Sequence, residues 1–341
     1  MTKQKVRYNL RRVLILVLFL IVIVGIALFL LAREDLYGMI SVLRNANYGF
    51  VILAILMYTF STVFWSARWR TALSAIGQNI KLRDLYLIIY GGIFINNITP
   101  LLRTGSDPVG RTYLLQKTKG VPYSSGFASV VSEYILDAPV FLSFLALGLL
   151  MYFGATSFWP VLVVVGIWVT TVVLLVPVFS SILRKRMAAG RISGIIVRVL
   201  RSLRRHVSRA RIVGSVENFY RRARIVISRW RTALCMVTFS VILWTFDMLR
   251  IFFVFQALGR DVPLTMLLLS STLPTIAALV PFLPGGLGLV DATFVSIFMR
   301  FGIPFHLAIA ATLIERAISY VLSTFIGAGV LSYLGIRVWA R

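Results

Sequence analysis

The sequence predicts an all-α polytopic membrane protein with about six full spans and two broken, re-entrant helical hairpins arranged as an inverted repeat. Of its 341 residues, 59% are hydrophobic and 14% are charged, against about 25% charged residues in a typical soluble domain. Several apolar runs reach about twenty residues, the length that crosses a hydrocarbon core about 30 Å thick. Because backbone polar groups in lipid need internal partners, these runs are predicted to be helices of a single transmembrane domain, residues 1–341.

The first two spans are predicted from apolar runs and from the positive charge that marks the cytoplasmic side of a membrane protein. Residues 13–32 are apolar and follow five basic residues. They predict an uncleaved span that starts in the cytoplasm, because the end of the run is a poor cleavage site. A mixed-charge external loop is predicted at 33–47. The second span, about 49–66, ends beside Arg68 and Arg70, which we interpret as its return to the cytoplasm.

The third apolar segment is too short to span the membrane and is interrupted by polar residues. A short apolar stretch at 85–97 leads into a polar stretch at 99–111, and basic residues flank both. This favours a hairpin that enters and leaves the membrane from the cytoplasm, and one tight span followed by a polar loop is the alternative. With a span at 123–153 the hairpin forms a first predicted repeat unit, residues 84–153.

A basic segment, residues 184–231, follows a span at 159–183 and holds 15 Lys or Arg and one acid. Apolar residues recur in it at helical spacing, which predicts an amphipathic helix on an anionic leaflet. Contacts with anionic lipid are expected from Arg198, Arg201, Arg204, Arg205 and Arg209. Nucleic acid is not an expected partner, because the segment is tethered between two spans and lacks a recognisable nucleic-acid motif.

The second half of the chain contains another broken segment. A span at 232–257 and a short external turn lead to an apolar run that is interrupted at Pro284-Gly285-Gly286-Leu287-Gly288. With a last span at 305–336, this segment forms a second predicted repeat unit, residues 263–336, and the C-terminus is placed in the cytoplasm. The glycines indicate either a plain turn between helices or an unwound midplane segment whose backbone groups contact an anion.

The same pattern follows both broken segments. Gly120-Val121-Pro122 precedes Glu133, and Gly302-Ile303-Pro304 precedes Glu315, with identical spacing from the glycine and from the proline to the glutamate. We call the difference in residue number between Gly120 and Gly302 the repeat offset; Glu133 and Glu315 differ by the same amount. The charges place the first segment's ends inside and the second segment's ends outside, which predicts the inverted topology found in transporters. From proline to glutamate the helical rise is about 16 Å, which places each glutamate near the middle of the membrane.

Ionisable side chains at that depth cost about 2.5–3.5 kcal/mol or more, so they usually face the bundle interior and mark a function. The predicted translocation pathway combines ionisable groups on the spans with polar residues and glycines at the two breaks. Its members are Glu133, Asp137, Asp247, Arg250, Glu315, Arg316, Asn97, Arg103, Asp107, Arg111, Pro284, Gly285, Gly286, Gly288 and Asp291. Ion pairs that only lock helices together are the alternative.

Several functions are disfavoured by composition. The single cysteine excludes an internal disulfide and any multi-cysteine metal site. With two histidines and no P-loop motif, we expect no cofactor, no metal and no ATP site.

The residues at the two breaks resemble a known family. Residues 281–288 (PFLPGGLG) with Asp291-Ala292, and in the first half Asn97 to Pro100, Gly105, Arg111, Leu114, Gly120 and Glu133, are similar to motifs of the lysylphosphatidylglycerol synthase transmembrane, or flippase-like, family. That family includes the membrane half of multiple peptide resistance factors. The resemblance covers about residues 10–336 and implies lipid translocation. Ser106 stands where the family commonly has a second glycine, and we expect no aminoacyltransferase domain and so no lysyl-lipid synthesis.

The leading hypothesis is a lipid translocase of the cell membrane, without enzymatic activity, that moves a polar-headed or polyprenyl-linked lipid passively or with an ion. Arginines and Asn97 would contact phosphate, and the carboxylates would contact a cationic group or carry protons. The expected partners are membrane lipids that are anionic or contain phosphate; the oligomeric state stays open, with a homodimer as one option. The alternatives are a glycosyltransferase that uses a polyprenyl-phosphate donor, with a metal at Glu34-Asp35, and a non-transporting scaffold.

Overall fold

The computed structural model describes residues 35–98, 103–154, 159–170, 209–279 and 286–335, and every long regular element in these ranges is helical. The helices are α1 (Asp35–Arg44), α2 (Tyr48–Ala75), α3 (Leu82–Ile98), α4 (Arg103–Lys119), α5 (Tyr123–Tyr152), α6 (Trp159–Thr170), α7 (Arg209–Ser228), α8 (Trp230–Ala257), α9 (Leu264–Ala277), α10 (Leu289–Arg300), α11 (Phe305–Arg316) and α12 (Ser323–Tyr333). Within the described ranges, four helical runs are long and apolar enough to cross a membrane: α2, α5, α8 and the run from Phe305 to Tyr333. The predicted all-α polytopic membrane fold is confirmed. The predicted first span, residues 171–208 and the C-terminus lie outside the described residues.

Helices α2 and α8 form a closely packed antiparallel pair. Phe50 stacks near Phe253 with ring centroids 6.2 Å apart, and Phe64 lies 6.1 Å from Phe239. Residue numbers therefore rise along α2 as they fall along α8. Because α3 follows the end of α2 and α9 follows the end of α8, these two helices begin at opposite ends of the pair.

The repeat offset extends to the boundaries of these helices. Both α2 and α8 contain 28 residues, and their first residues, Tyr48 and Trp230, are separated by the repeat offset. Each helix is followed by a glycine with positive φ, 78° at Gly77 and 66° at Gly259, a conformation that ends a helix without Cβ strain. The first residues of α3 and α9 are separated by the repeat offset as well.

The two Gly-x-Pro motifs adopt the same local structure. Gly120 and Gly302 have φ of 68° and 80°, and Pro122 and Pro304 are the N-cap residues of α5 and α11. A fixed proline φ and a missing N–H suit the start of a helix, where the first N–H groups have no partner in the helix.

Two groups of buried apolar side chains hold the bundle together, one around each broken segment. In one, Phe255 of α8 packs edge-on against Phe298 of α10 with centroids 4.7 Å apart. In the other, Trp69 of α2 is buried among residues of α3, α4 and α5. Gly327 of α12 lies so close to α3 that a Cβ there would come within 2.4 Å of the Tyr90 carbonyl oxygen. Such close approach at small residues is typical of helix packing in membranes.

Two segments predicted to be irregular are helical, and one predicted span departs locally from α-helical geometry. Residues 35–44 of the predicted external loop form α1, which packs on α11. The polar arm after the first break is α4, with Pro108 inside it, so the hairpin prediction is favoured over the polar-loop alternative. The predicted last span contains a π-helical turn, Ala317–Leu322, directly after Arg316; such turns often occur at functional sites.

The described part of the basic segment is α7, which packs on α5 with Ala223 and Val226 fully buried. Arg222 and Arg229 donate to the carbonyl oxygens of Ile76 and Ala75, at 3.2 and 3.0 Å. These carbonyls end α2, where cationic side chains are favoured by the helix dipole. This part of the segment is therefore fastened to the bundle. The expected leaflet contacts of Arg198, Arg201, Arg204 and Arg205 lie outside the described residues, as does the side chain of Arg209.

Candidate functional site: two buried charge clusters

The predicted pathway residues fall into two clusters rather than one. We call the first cluster Arg68, Asp107, Arg111, Glu133 and Asp137, and the second cluster Asp247, Arg250, Asp291, Glu315 and Arg316. Each contains two arginines and three carboxylates. The ionisable side chains selected from the sequence are thus almost all paired.

In the first cluster both oxygens of Glu133 are occupied. Its Oε2 accepts from Arg111 Nη1 at 2.9 Å, and its Oε1 accepts from Arg68 Nε at 3.4 Å. Glu133 is 1% exposed. A carboxylate buried this deeply is stabilised by its two guanidinium partners, because an unpaired charge at this place would be costly.

Arg111 joins the broken segment to its neighbours. Its Nε and Nη2 donate to Asp107 Oδ2 at 3.1 and 2.8 Å, one turn back on α4. The guanidinium lies 4.9 Å from the ring centroids of both Trp65 and Trp69 on α2, within cation–π range. Tyr134 donates its hydroxyl to Asp107 Oδ2 at 2.5 Å. Asp107 and Arg111 are thus held inside the bundle, as the sequence predicted.

Arg68 corrects the sequence interpretation, which placed it at the cytoplasmic end of the second span. Helix α2 continues to Ala75, and Arg68 is 5% exposed. It contacts Glu133 and Asp137 and donates to Ser240 Oγ at 2.7 Å. A span need not end at an arginine whose charge is balanced by carboxylates of a neighbouring helix. The spacing could have revealed this, because Arg250 follows Arg68 by the repeat offset.

In the second cluster Arg250 links two carboxylates. Its Nη1 lies 3.0 Å from Asp247 Oδ1, three residues earlier on the same helix, and its Nη2 lies 3.2 Å from Glu315 Oε1. Asp247 also accepts from Ser61 Oγ at 3.1 Å. Arg316 Nε lies 2.5 Å from Asp291 Oδ1. The second cluster therefore connects α2, α8, α10 and α11.

The glycines at the second break have a structural role. Asp291 Oδ2 accepts from the Gly288 N–H at 2.7 Å, which caps the start of α10, and Gly288 has a φ of 85°. Gly286 is buried, with a φ of 68°. Pro284 and Gly285 lie outside the described residues, so the choice between a plain turn and an anion-binding segment stays a prediction.

A polar cavity of about 160 Å³ adjoins the second cluster. Its walls come from α3, α8, α9, α10, α11 and the π-helical turn; the polar residues among them are Asn97, Trp244, Asp247, Arg250, Ser270, Ser271, Thr275, Glu315, Arg316, Ser319 and Tyr320. Asn97 donates to Thr324 Oγ1 at 2.8 Å. The side chain of Arg103 lies outside the described part of the chain.

Trp244 connects the cavity with the first cluster. Its indole Nε1 donates to Asp137 Oδ1 at 3.4 Å while the side chain lines the cavity. Sequence reasoning missed Trp244, because an apolar residue within a span carries no signal of function. Trp244 therefore lies between Asp137 of the first cluster and the cavity beside the second cluster.

A metal site is not found among the described residues, which contain no group of three His, Cys, Asp or Glu side chains able to hold an ion. Glu34 and the side chain of Asp35, the proposed metal pair of the glycosyltransferase alternative, lie outside the described part.

Residues 14–327 match the family described as the lysylphosphatidylglycerol synthase TM region. The chain belongs to this family. Among its relatives is a UPF0104 membrane protein of Methanocaldococcus jannaschii, 27% identical over 95% of both chains. Another, from Pyrococcus horikoshii, is 27% identical over 91% of this chain and 95% of the relative.

A third relative is named as the glycosyltransferase AglD of Haloferax volcanii. It is 29% identical over 96% of this chain, and the match covers 55% of that protein. No solved structure matches the chain. The resemblance to the transmembrane synthase family inferred from the residues at the two breaks is confirmed, and with it the assignment to a membrane.

Proposed function

We propose that this protein is a lipid translocase that moves a polar-headed lipid between the leaflets of the cell membrane, passively or with an ion. The observation that carries the proposal is the polar cavity beside the second charge cluster, inside a bundle of apolar helices. Ionisable groups in the interior of a membrane protein are expensive to maintain and mark substrate pathways. The family relationship to the membrane region of a lipid synthase points to the same class of cargo.

The proposal includes an inverted repeat, which the following correspondences between the two halves support. Helices α2 and α8 are equally long, antiparallel and related by the repeat offset, and each precedes a broken segment and a Gly-x-Pro motif. Arg68 and Glu133 in one half correspond to Arg250 and Glu315 in the other, and both pairs are ion pairs. Inverted repeats with discontinuous helices around a central site are characteristic of transporters.

The two equivalent pairs differ in their surroundings. Around Glu133, both carboxylate oxygens are hydrogen bonded to arginine. Around Glu315, a cavity is present and the Oε2 atom has no partner among the described residues. In an alternating-access mechanism, one half is closed while its counterpart is open. We infer that the structure represents one such state, and that the other state opens at Glu133.

The distribution of basic residues indicates how the protein is oriented in the membrane. The end of the bundle where α2 ends and α7 packs carries Lys81, Arg83, Lys117, Lys119 and Arg229. Basic residues favour the cytoplasmic side. We therefore propose that this end, together with both chain termini, is cytoplasmic.

A translocation assay tests the function. The protein is reconstituted into liposomes with a head-group-labelled phospholipid, and transfer to the outer leaflet is measured by bleaching. We expect wild-type protein and the control Glu217→Gln, an exposed carboxylate on α7, to accelerate transfer. Glu133→Gln and Glu315→Gln should each slow it at least tenfold. Transfer by the wild type at the rate of protein-free liposomes would refute the proposal.

Cysteine labelling tests the inverted repeat. Asn79 and Asp261 are exposed, are separated by the repeat offset, and follow shortly after the ends of α2 and α8. In a Cys235→Ser background, Asn79→Cys should react with an impermeant maleimide only from the cytoplasmic side and Asp261→Cys only from outside. Reaction of both from one side would contradict the opposite orientation of the two halves.

A glycosyltransferase is the second candidate, and the observation in its favour is the relationship to AglD. The match covers 55% of AglD, and the remainder of that protein lies outside the match. Sugar transfer from a polyprenyl-phosphate donor by the purified protein, lost in Asp35→Ala, would favour this candidate over a translocase.

A further inference from the structure

Two side chains that line the cavity beside the second cluster each have one unsatisfied polar atom, and the two atoms are of opposite character. Arg250 Nε, a donor, and Glu315 Oε2, an acceptor, are buried without a hydrogen-bond partner among the described residues. Both residues line the cavity, and they are 9% and 3% exposed. Buried polar atoms are seldom left without a hydrogen bond in native structures, because a buried donor or acceptor that has no partner carries a desolvation penalty. Together the two atoms define what a ligand must supply: one acceptor and one donor.

The charge around the cavity limits the ligand further. Among its lining residues, the charges of Arg250 and Arg316 are balanced by those of Asp247 and Glu315. Asp291, which pairs with Arg316, adds one more negative charge. A purely anionic head group would increase this excess in a low-dielectric site, whereas a group with one phosphate and one ammonium leaves it unchanged.

We propose that the cavity binds a zwitterionic aminophosphate head group, with phosphate on Arg250 and a primary ammonium on Glu315. The identification of the ligand as a lipid rests on the proposed translocation of lipids. The Nε atom donates to a phosphate oxygen in a charge-assisted hydrogen bond, while Nη1 and Nη2 stay on Asp247 and Glu315. The ammonium N–H donates to Glu315 Oε2. Serine and threonine hydroxyls of α9 lie in the same wall.

The cavity volume is consistent with this class. About 160 Å³ is much more than the ~10–15 Å³ needed for one water and less than the ~300–1,000 Å³ of pockets for drug-sized ligands. A phosphate with a two-carbon amine fits this space.

Binding of water-soluble head-group esters tests the assignment without any mutation. Glycerophosphoethanolamine, glycerophosphocholine and glycerophosphoglycerol are titrated calorimetrically into the purified full chain in a nonionic detergent. The choline ester has the charge but no N–H donor, and the glycerol ester has hydroxyl donors but no positive charge. We expect the ethanolamine ester to bind about tenfold more tightly than either, the effect of one charge-assisted hydrogen bond. Equal or tighter binding of the glycerol or choline ester, or no binding of any ester, overturns the proposal.

Two variants separate the roles of the two side chains. Glu315→Gln should remove the preference for ethanolamine and leave the weak binding of the glycerol ester unchanged. Arg250→Lys should weaken all three esters about tenfold, because an ammonium has no Nε donor. The control Glu217→Gln should bind like the wild type. An unchanged ethanolamine preference in Glu315→Gln overturns the ammonium site.

Translocation of the matching labelled lipids distinguishes this proposal from the proposed function. Transport of all lipids without an ethanolamine preference would leave translocation standing and overturn the head-group assignment. Selective binding of the ethanolamine ester without transport of any lipid would support the site and refute translocation.

Discussion

Replacing Glu133 by glutamine should destabilise the protein more than replacing Glu315 by glutamine, although the two residues have the same spacing from a Gly-x-Pro motif. Glu133 accepts hydrogen bonds from two arginines, whereas Glu315 accepts from one and its other oxygen is unpartnered among the described residues. A hydrogen bond to a charged group contributes about 1.5–3 kcal/mol, so about 3–6 kcal/mol is at stake at Glu133 and about 1.5–3 kcal/mol at Glu315.

The glutamine oxygen keeps one hydrogen bond from an arginine in each variant, which we take as about 0.5–1.5 kcal/mol because the acceptor is no longer charged. The expected loss in the free energy of unfolding is therefore about 2–5 kcal/mol for Glu133→Gln, which overlaps the range of about 3–5 kcal/mol known for breaking buried ion pairs. For Glu315→Gln it is about 0–2 kcal/mol. The difference arises from the second arginine at Glu133.

Unfolding can be followed by titrating SDS into mixed micelles and monitoring the reaction of Cys235 with a fluorogenic thiol dye. Cys235 is the single cysteine of the chain and is partly buried on α8. Glu217→Gln serves as the control and should unfold like the wild type. Equal losses for the two variants, or a larger loss for Glu315→Gln, would refute the reasoning from hydrogen-bond occupancy.

Three further predictions concern packing and helix ends, and all are measured as shifts in the same unfolding transition. Gly327→Ala should lower the free energy of unfolding by about 1–3 kcal/mol, because its Cβ would clash with the Tyr90 carbonyl. The control Gly329→Ala has open space on the same helix and should leave stability unchanged or raise it by up to about 1 kcal/mol. Equal effects of the two substitutions would argue against close packing of α12 on α3. Arg229→Ala should lose about 0.3–1 kcal/mol from the end of α2 at low salt and less at high salt, and a salt-independent loss would contradict a dipole effect. Asp291→Asn, which keeps an oxygen for capping but removes the charge facing Arg316, should destabilise less than Asp291→Ala, and the reverse order would be inconsistent with a capping role.

The sequence was sufficient to predict the class of fold because the membrane imposes strong local rules. Long apolar runs must be helices, and charges within them must find partners, so Glu133, Asp137, Asp247, Arg250, Glu315 and Arg316 could be selected without coordinates. The pairing of Asp247 with Arg250 was also accessible, since it lies within one turn. The motif that recurs at the repeat offset indicated which glutamates correspond.

The tertiary structure alone decided which charges meet across helices. Arg68 appeared to mark a membrane boundary until α2 was seen to continue past it and to place its guanidinium against α5. The division into two clusters, the link through Trp244 and the unpartnered Oε2 of Glu315 also depend on packing between segments distant in sequence. Hydropathy and residue spacing indicate how deep a residue lies in the membrane and on which face of its helix. The partner of a buried charge depends instead on which helices lie side by side.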